Sequence, residues 1–208
     1  MEHAAARPIH PVEHVEEETS TGLNHRKILM WAFLGSDCLF FGALIATYMV
    51  YRGKSLVGPY PDEIFNIPYT SISAFVLLMS SLTMVLALAA IQRGDQRGLR
   101  VWLVATALMG SVFVGGQYFE FTTFVHEGLT LSGNLFGSTF FTLTGFHGAH
   151  VTVGIIMLLS LVGVSLRGRL PQRDSLTVEL VGLYWHFVDI VWIVIFTLVY
   201  LIPSPHPV

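Results

Sequence analysis

The chain has 208 residues, of which 53% are hydrophobic and only 12% are charged. A mean hydropathy of +0.63 excludes an ordinary soluble domain and indicates a membrane protein. The net charge of −3 offers no basic surface for a nucleic acid, and the single cysteine, Cys38, excludes a disulfide framework, a CxxC redox pair and heme attachment through CxxCH.

Polar residues rich in Glu and His open the chain, and no apolar core of a cleaved signal peptide is found among them. Residues 1–27 are therefore predicted to form an exposed tail. Five apolar stretches follow, each long enough to cross a hydrocarbon core of about 30 Å. The predicted spans are 28–51, 68–91, 99–124, 137–166 and 179–202.

These spans predict an all-α fold, a polytopic five-helix transmembrane bundle formed by residues 28–203 and followed by a short external tail, 204–208. The Lys and Arg residues set the orientation. Nine of them fall on the side of the N-terminus and two, Arg52 and Lys54, fall on the other side. We therefore expect the N-terminus inside and the C-terminus outside.

Proline is absent from the interior of the predicted spans; Pro68 opens one and Pro203 closes another. Transporters commonly build midplane sites from broken helices in repeated halves. A secondary transporter is therefore disfavoured, although a transporter or channel lined by Asp37, Glu120 and Asp189 stays an alternative.

Several ionisable or polar aromatic residues lie within the spans. A carboxylate at the bilayer centre costs at least about 2.5 kcal/mol, so each must face protein, water or a polar lipid group. The candidate site residues are Asp37, Glu120, His147, His150, Trp185, His186 and Asp189. The spacing of three within His147/His150 and within His186/Asp189 places each pair on one helical face.

Each candidate also has a structural interpretation. An intramembrane histidine is more often a neutral hydrogen-bonding residue than a metal ligand when no third ligand is evident. Asp37 could be a structural carboxyl or serve a proton or a lipid, and His186 with Asp189 reads most simply as a buried polar pair. A metal- or heme-binding membrane enzyme built on His147, His150 and His186 is the remaining alternative.

Two motifs carry a family resemblance. GFHGAHVTVG, followed by YWHFVDIVWIVIFTLVYLI, resembles the last two spans of subunit III of the heme-copper cytochrome c oxidases, in the short five-helix bacterial form. GSDCLFFGALIATY is similar to the family's segment with a buried carboxylate, and GGQYFEF to its motif ending in glutamate. The resemblance covers residues 28–203.

The resemblance implies a non-redox accessory subunit of a respiratory terminal oxidase in the bacterial cytoplasmic membrane. Such a subunit has no catalytic centre and no cofactor; heme and copper reside in subunits I and II, and a small subunit IV or a supercomplex could join them. It implies binding of structural phospholipids in a cleft, support of proton uptake, and protection during turnover. The family's motif residues fall on the candidate site residues above and on Trp192.

The chain departs from the family in two places. The family's first carboxylate is usually Glu, whereas here it is Asp37, one methylene shorter. Longer members have two further N-terminal helices, so one wall of the lipid cleft is lost here or comes from another subunit. We expect His147 and His150 to form an internal polar clasp to neighbouring carboxylates or carbonyls rather than a metal site.

Overall fold

The computed structural model describes residues 22, 24–55 and 58–202, with residues 62 and 63 by backbone alone. The regular elements are α1 (His25–Tyr51), α2 (Pro61–Ile64), α3 (Ile67–Gln92), α4 (Gln96–His126), α5 (Leu135–Leu166) and α6 (Ser175–Phe196). Five segments, namely α1, α3, α4, α5 and Gln172–Leu201, are long and apolar enough to cross a membrane. The predicted all-α, five-span fold is confirmed. The predicted tails, apart from residues 22 and 24–27, lie outside the described residues, and the orientation stays a prediction.

Asparagine and aspartate side chains set where the long helices begin. Asn24 accepts from the Arg26 N–H at 2.9 Å, and Asn66 accepts from the Tyr69 N–H at 3.2 Å. Asp95 caps α4 and Asn134 caps α5 in the same way. These caps satisfy N–H groups that have no partner within the helix. The caps lie two to four residues before the apolar stretches, so these four helices begin one to three residues earlier than the predicted spans.

Four helices form a closed ring and the fifth lies outside it. In the ring, α3 packs against α4, α4 against α5, α5 against α6, and α6 against α3. α1 packs against α5 and α6. Only 6% of the apolar window of α1 is buried, compared with 33–50% in the other four spans. The core therefore belongs to the ring, and α1 presents most of its surface to its surroundings.

The turns at the end of the bundle that carries most arginines are tied together by side chains. The Gln172 amide donates to the carbonyl of Gln92 at 2.6 Å, and the Gln96 amide donates to the carbonyl of Leu170 at 3.0 Å. Arg100 Nε donates to Ser165 Oγ at 2.9 Å. We call this the arginine end. Its polar contacts fix the positions of the ring helices relative to one another along the bundle axis.

The last span does not stay a regular α-helix. After Phe196 the chain continues as a π-helical turn, Thr197–Leu201. π-Turns are frequently found at functional positions in helices. Neither proline nor glycine lies within this turn, so it could not be predicted from the sequence. Its consequence is local: it carries Tyr200, which contacts Glu120 of α4.

Candidate functional site

Asp37 and His150 face each other between α1 and α5. Asp37 Oδ2 lies 3.6 Å from His150 Nε2, and the two side chains are 12% and 20% exposed. His150 Nδ1 lies 2.7 Å from the Phe146 carbonyl oxygen, so it carries a proton and donates to it. The remaining nitrogen, Nε2, is therefore the one that faces the carboxylate. The gap is slightly longer than a hydrogen bond, and Asp37 Oδ2 is buried without a hydrogen-bond partner among the described residues.

His147 lies on a different side of the same helix and is enclosed by aromatic rings. Its ring stacks on Trp192 at a centroid distance of 4.9 Å, and Phe113 meets it edge-on at 5.9 Å. The side chain is fully buried, and neither ring nitrogen has a hydrogen-bond partner among the described residues. The polar clasp expected of both histidines is therefore wrong for His147, which packs in the core, whereas His150 faces a carboxylate.

A hydroxyl joins His186 and Asp189, which the sequence analysis paired directly. Ser81 of α3 donates to Asp189 Oδ2 at 2.6 Å, and His186 Nδ1 lies 3.1 Å from the same hydroxyl oxygen. Asp189 is buried, and its other oxygen has no hydrogen-bond partner among the described residues. The two residues thus bind α6 to α3 through Ser81, a residue that the sequence analysis did not single out.

Trp185 is held in the centre of the ring. Its indole N–H donates to Ser80 Oγ at 2.9 Å, and 1% of the residue is exposed. Two glycines make room for the ring: a Cβ built on Gly110 would lie 2.5 Å from Trp185 Cη2, and one on Gly154 would lie 2.8 Å from Cε3. Trp185 is therefore a packing element that joins α3, α4 and α5 to α6.

Glu120 lies toward the end of the bundle opposite the arginine end. Its Oε1 accepts from Thr70 Oγ1 at 2.7 Å, and its Oε2 accepts from the Tyr200 hydroxyl at 3.5 Å. The Tyr200 ring stacks on Phe65 at a centroid distance of 4.3 Å. Glu120 therefore links α4 to α3 and to the π-helical turn. Thr70 and Tyr200 had no recognisable signal in the sequence, because both residue types are common in transmembrane helices.

Further polar contacts between helices were also missed at the level of sequence. Gln117 of α4 donates to the Thr144 carbonyl of α5 at 2.8 Å, beside Gly148. Thr83 and Thr106 bring their hydroxyl oxygens to 2.8 Å between α3 and α4. A buried glutamine in an otherwise apolar span was a signal that could have identified the first contact.

A groove of about 480 Å³ opens between α1 and α6 near the arginine end. Its walls are Ile28, Trp31 and Leu183, and its rim carries Lys27 and Glu179. The Lys27 ammonium lies 2.8 Å from Glu179 Oε1, and both side chains are about one-third exposed. The groove therefore combines an apolar body with one positive and one negative group at its edge.

The candidate residues do not converge on a metal. Among residues 22, 24–55 and 58–202, no group of three His, Cys, Asp or Glu side chains is placed to hold a metal ion. His147, His150 and His186 have separate neighbours: an indole, a carboxylate and a serine hydroxyl. The arrangement provides hydrogen bonds between helices and one carboxylate that faces an imidazole, at Asp37 and His150.

Comparison with known proteins gives a consistent family. The family model for cytochrome c oxidase subunit III matches residues 14–204. Quinol oxidase subunit 3 of Bacillus subtilis (strain 168) is 43% identical over 172 residues, 82% of this chain and 84% of the relative. Cytochrome c oxidase subunit 3 of Bacillus sp. (strain PS3) is 37% identical over 82% of this chain and 83% of its own length. Cytochrome bo(3) ubiquinol oxidase subunit 3 of Pseudomonas aeruginosa is 35% identical over 92% of each chain.

Proposed function

Since the chain belongs to the cytochrome c oxidase subunit III family and is therefore an accessory subunit of a terminal oxidase, we propose that it carries no heme or copper itself and supports proton uptake by the subunits that do. Subunits I and II are the proposed partners. The resemblance to subunit III read from GFHGAHVTVG and YWHFVDIVW is confirmed. The metal-enzyme and transporter alternatives are not favoured.

The Asp37–His150 contact is the observation that carries the proton role. It places a carboxylate and an imidazole 3.6 Å apart, with the side chain of His150 20% exposed and the facing oxygen of Asp37 buried. Because the Phe146 carbonyl fixes His150 Nδ1 as a donor, a proton bound at the pair would lie on Nε2 or on Oδ2. Such a pair can take up and release a proton without moving a helix.

Replacing Asp37 with Asn in the complete oxidase tests this role. Asparagine keeps the size of the side chain but cannot hold the proton, so proton uptake should slow, most strongly at high pH where protons are scarce. Glu127→Gln is the matched control, since it removes an exposed carboxylate at the far end of α4. Unchanged proton uptake and an unchanged working life of the Asp37→Asn oxidase would mean that Asp37 has only a structural role.

Removing the whole subunit tests the accessory role. We expect the remaining oxidase to keep its heme spectrum and its initial rate of oxygen reduction but to inactivate after fewer turnovers. If the purified chain instead bound heme or copper and reduced oxygen alone, the proposal would be wrong. Loss of all heme from the remaining enzyme would also contradict it.

Phospholipid binding is the second part of the proposal, and the groove between α1 and α6 supports it. A zwitterionic headgroup carries one phosphate and one amine, which suit Lys27 and Glu179, while Ile28, Trp31 and Leu183 suit an acyl chain. Lipid analysis of the purified oxidase should show loss of tightly bound lipid in a Lys27→Ala, Glu179→Ala double variant. An unchanged lipid content would count against this groove.

The electron donor and the membrane complete the proposal. The sequence resembles the cytochrome c oxidases but does not give the electron donor, and the relatives' names include both cytochrome c and quinol oxidases. Oxygen uptake by the purified complex, measured with reduced cytochrome c and with quinol in parallel, decides between them. The relatives named above come from bacteria, which supports the cytoplasmic membrane of a bacterium, with the arginine end inside.

A further inference from the structure

Five exposed arginines lie on the two turns of the arginine end, the turn between α3 and α4 and the turn between α5 and α6. They are Arg93, Arg97, Arg167, Arg169 and Arg173. The side-chain amides of Gln172 and Gln96 each donate to a carbonyl of the other turn, at 2.6 Å and 3.0 Å. The five guanidinium groups therefore belong to one surface, which we call the arginine surface.

Nearby carboxylates do not balance the charge of this surface. None of the five side chains forms a hydrogen bond or an ion pair with a described residue. Asp95 caps the start of α4, and Glu179 is paired with Lys27. Among the described residues of this end, Asp174 is the acidic side chain that remains. The arginine surface thus carries an excess of positive charge.

A matching excess of negative charge precedes α1 in the sequence. Residues 13–18 read EHVEEE and contain four glutamates, and no Lys or Arg occurs between residues 8 and 25. The preference of Lys and Arg for the inner side accounts for arginines at the arginine end. It does not account for a run of carboxylates there, because the inner surface of a membrane is itself anionic and repels them. A positive protein surface is the partner that such a run requires.

The start of α1 brings residues 13–18 within reach of the arginine surface. The Lys27 ammonium lies 2.8 Å from Glu179, and Arg173 precedes Glu179 by six residues, roughly 10 Å along the chain at this point. Glu18 precedes Lys27 by nine residues, which can span up to about 30 Å. A segment tethered by such a short linker has an effective concentration of about millimolar, so weak ion pairs are enough to hold it.

We propose that residues 13–18 dock on the arginine surface, with their glutamates paired to guanidinium groups of the two turns. One exposed ion pair contributes roughly a twofold factor, whereas three together contribute roughly tenfold. Arginine suits this role because its planar fork can donate two hydrogen bonds to one carboxylate. The docked segment would join the peripheral α1 to both turns of the ring. The inference does not depend on the oxidase function, since both charged groups belong to this chain.

Disulfide formation in native membranes tests the docking. Cys38→Ser removes the one cysteine of the chain, and Val15→Cys is then combined with Arg169→Cys. An independent pair combines Val15→Cys with Gln92→Cys, at an exposed position beside Arg93. Peptide mass spectrometry identifies the link within the chain. We expect both pairs to form disulfides, so the result does not depend on one variant folding.

The dependence on charge separates docking from chance encounters. Replacing Glu16, Glu17 and Glu18 with Gln should lower the initial rate of disulfide formation by roughly tenfold. A comparable fall is expected in about 1 M salt relative to about 0.01 M, because the Debye length shortens from about 30 Å to about 3 Å. The matched control replaces residues 19–21, Thr-Ser-Thr, with alanines. It alters the same number of neighbouring residues without changing charge and should leave the rate unchanged.

Several results would overturn the proposal. If lipid headgroups or another subunit cover the arginine surface instead, the two cysteine pairs either form no disulfide or form it at a rate that the glutamines do not alter. Equal rates in the glutamine and alanine variants, or a rate that salt does not change, would likewise show that residues 13–18 are not held by the arginines.

Discussion

Trp185 provides the sharpest test of how the ring is packed. Gly154 of α5 and Gly110 of α4 both leave room for this indole, and Ser80 of α3 accepts its N–H. Gly154→Ala would bring a methyl carbon to 2.8 Å from Trp185 Cε3 and Cζ3. Ordinary carbon contacts are about 3.5 to 4.0 Å, so the ring would have to move by about 0.7 to 1.2 Å. Gly110 leaves little space for that movement.

The cost follows from three contributions. Overpacking costs about 1 to 3 kcal/mol, and moving the indole away from Ser80 sacrifices about 1 kcal/mol of hydrogen bonding. Alanine regains about 0.5 to 1 kcal/mol of helix stability over glycine. We therefore expect Gly154→Ala to lower the free energy of unfolding by about 2 kcal/mol, a roughly thirtyfold shift in the folding equilibrium.

The measurement is the unfolding of the full chain in mixed detergent micelles, followed by loss of helical circular dichroism. Gly163→Ala is the matched control, because it lies on the same helix and a Cβ there meets no atom within 4 Å. In a Trp185→Phe background, Gly154→Ala should cost much less, since the two positions are in contact. If Gly154→Ala is as stable as Gly163→Ala, Trp185 is not confined by the glycine and the packing argument is wrong.

Three further substitutions make smaller, graded predictions in the same unfolding assay. Gly148→Ala places a Cβ 2.5 Å from Gln117 Oε1; the end of this flexible side chain can swing away, so the cost should be less than half of that predicted above, and an equal cost would show a rigid amide. Thr106→Val removes a hydroxyl contact of 2.8 Å to Thr83 of α3 and should cost about 0.6 kcal/mol, an average value for such bonds between transmembrane helices. Thr83 keeps its hydrogen bond to the Ser80 carbonyl of its own helix, so a cost above about 2 kcal/mol would contradict this reasoning. Asp37→Glu extends the carboxylate by up to about 1.5 Å across the 3.6 Å gap, so a double-mutant cycle with His150→Gln should show stronger coupling than with Asp37; weaker coupling would mean that the site has no room for the longer side chain.

The fold could be predicted because the hydrocarbon core of a membrane requires long, continuous apolar helices. A stretch such as residues 137–166 can only be a spanning helix once its length and apolar character are known. The helix ends were less certain, since caps such as Asp95 and Asn134 lie outside the apolar stretches that define a span. The π-helical turn at Thr197–Leu201 depends on packing against other helices, which composition does not reveal.

The candidate site residues could be predicted from the sequence, but the groups that they contact could not. Residues three apart on a helix differ by about 60° in direction, which is enough to place His147 in the aromatic core and His150 opposite Asp37. The partners of the carboxylates, Ser81 and Thr70, are hydroxyl residues that usually bond to their own helix. Only the three-dimensional arrangement shows which of them reaches across.

The distribution of these contacts gives the ionisable residues of the spans structural roles that require no cofactor. Glu120 and Asp189 each accept a hydroxyl from α3, so these carboxylates hold ring helices together. Asp37, by contrast, contacts a helix of the ring from the peripheral α1, where the pair stays partly exposed. Ring contacts serve stability, whereas the α1 contact is the one to which we assign the proposed proton role. Substitutions in the ring should therefore change retention of the subunit while leaving turnover per heme unaltered, and substitutions at Asp37 should change proton uptake before retention.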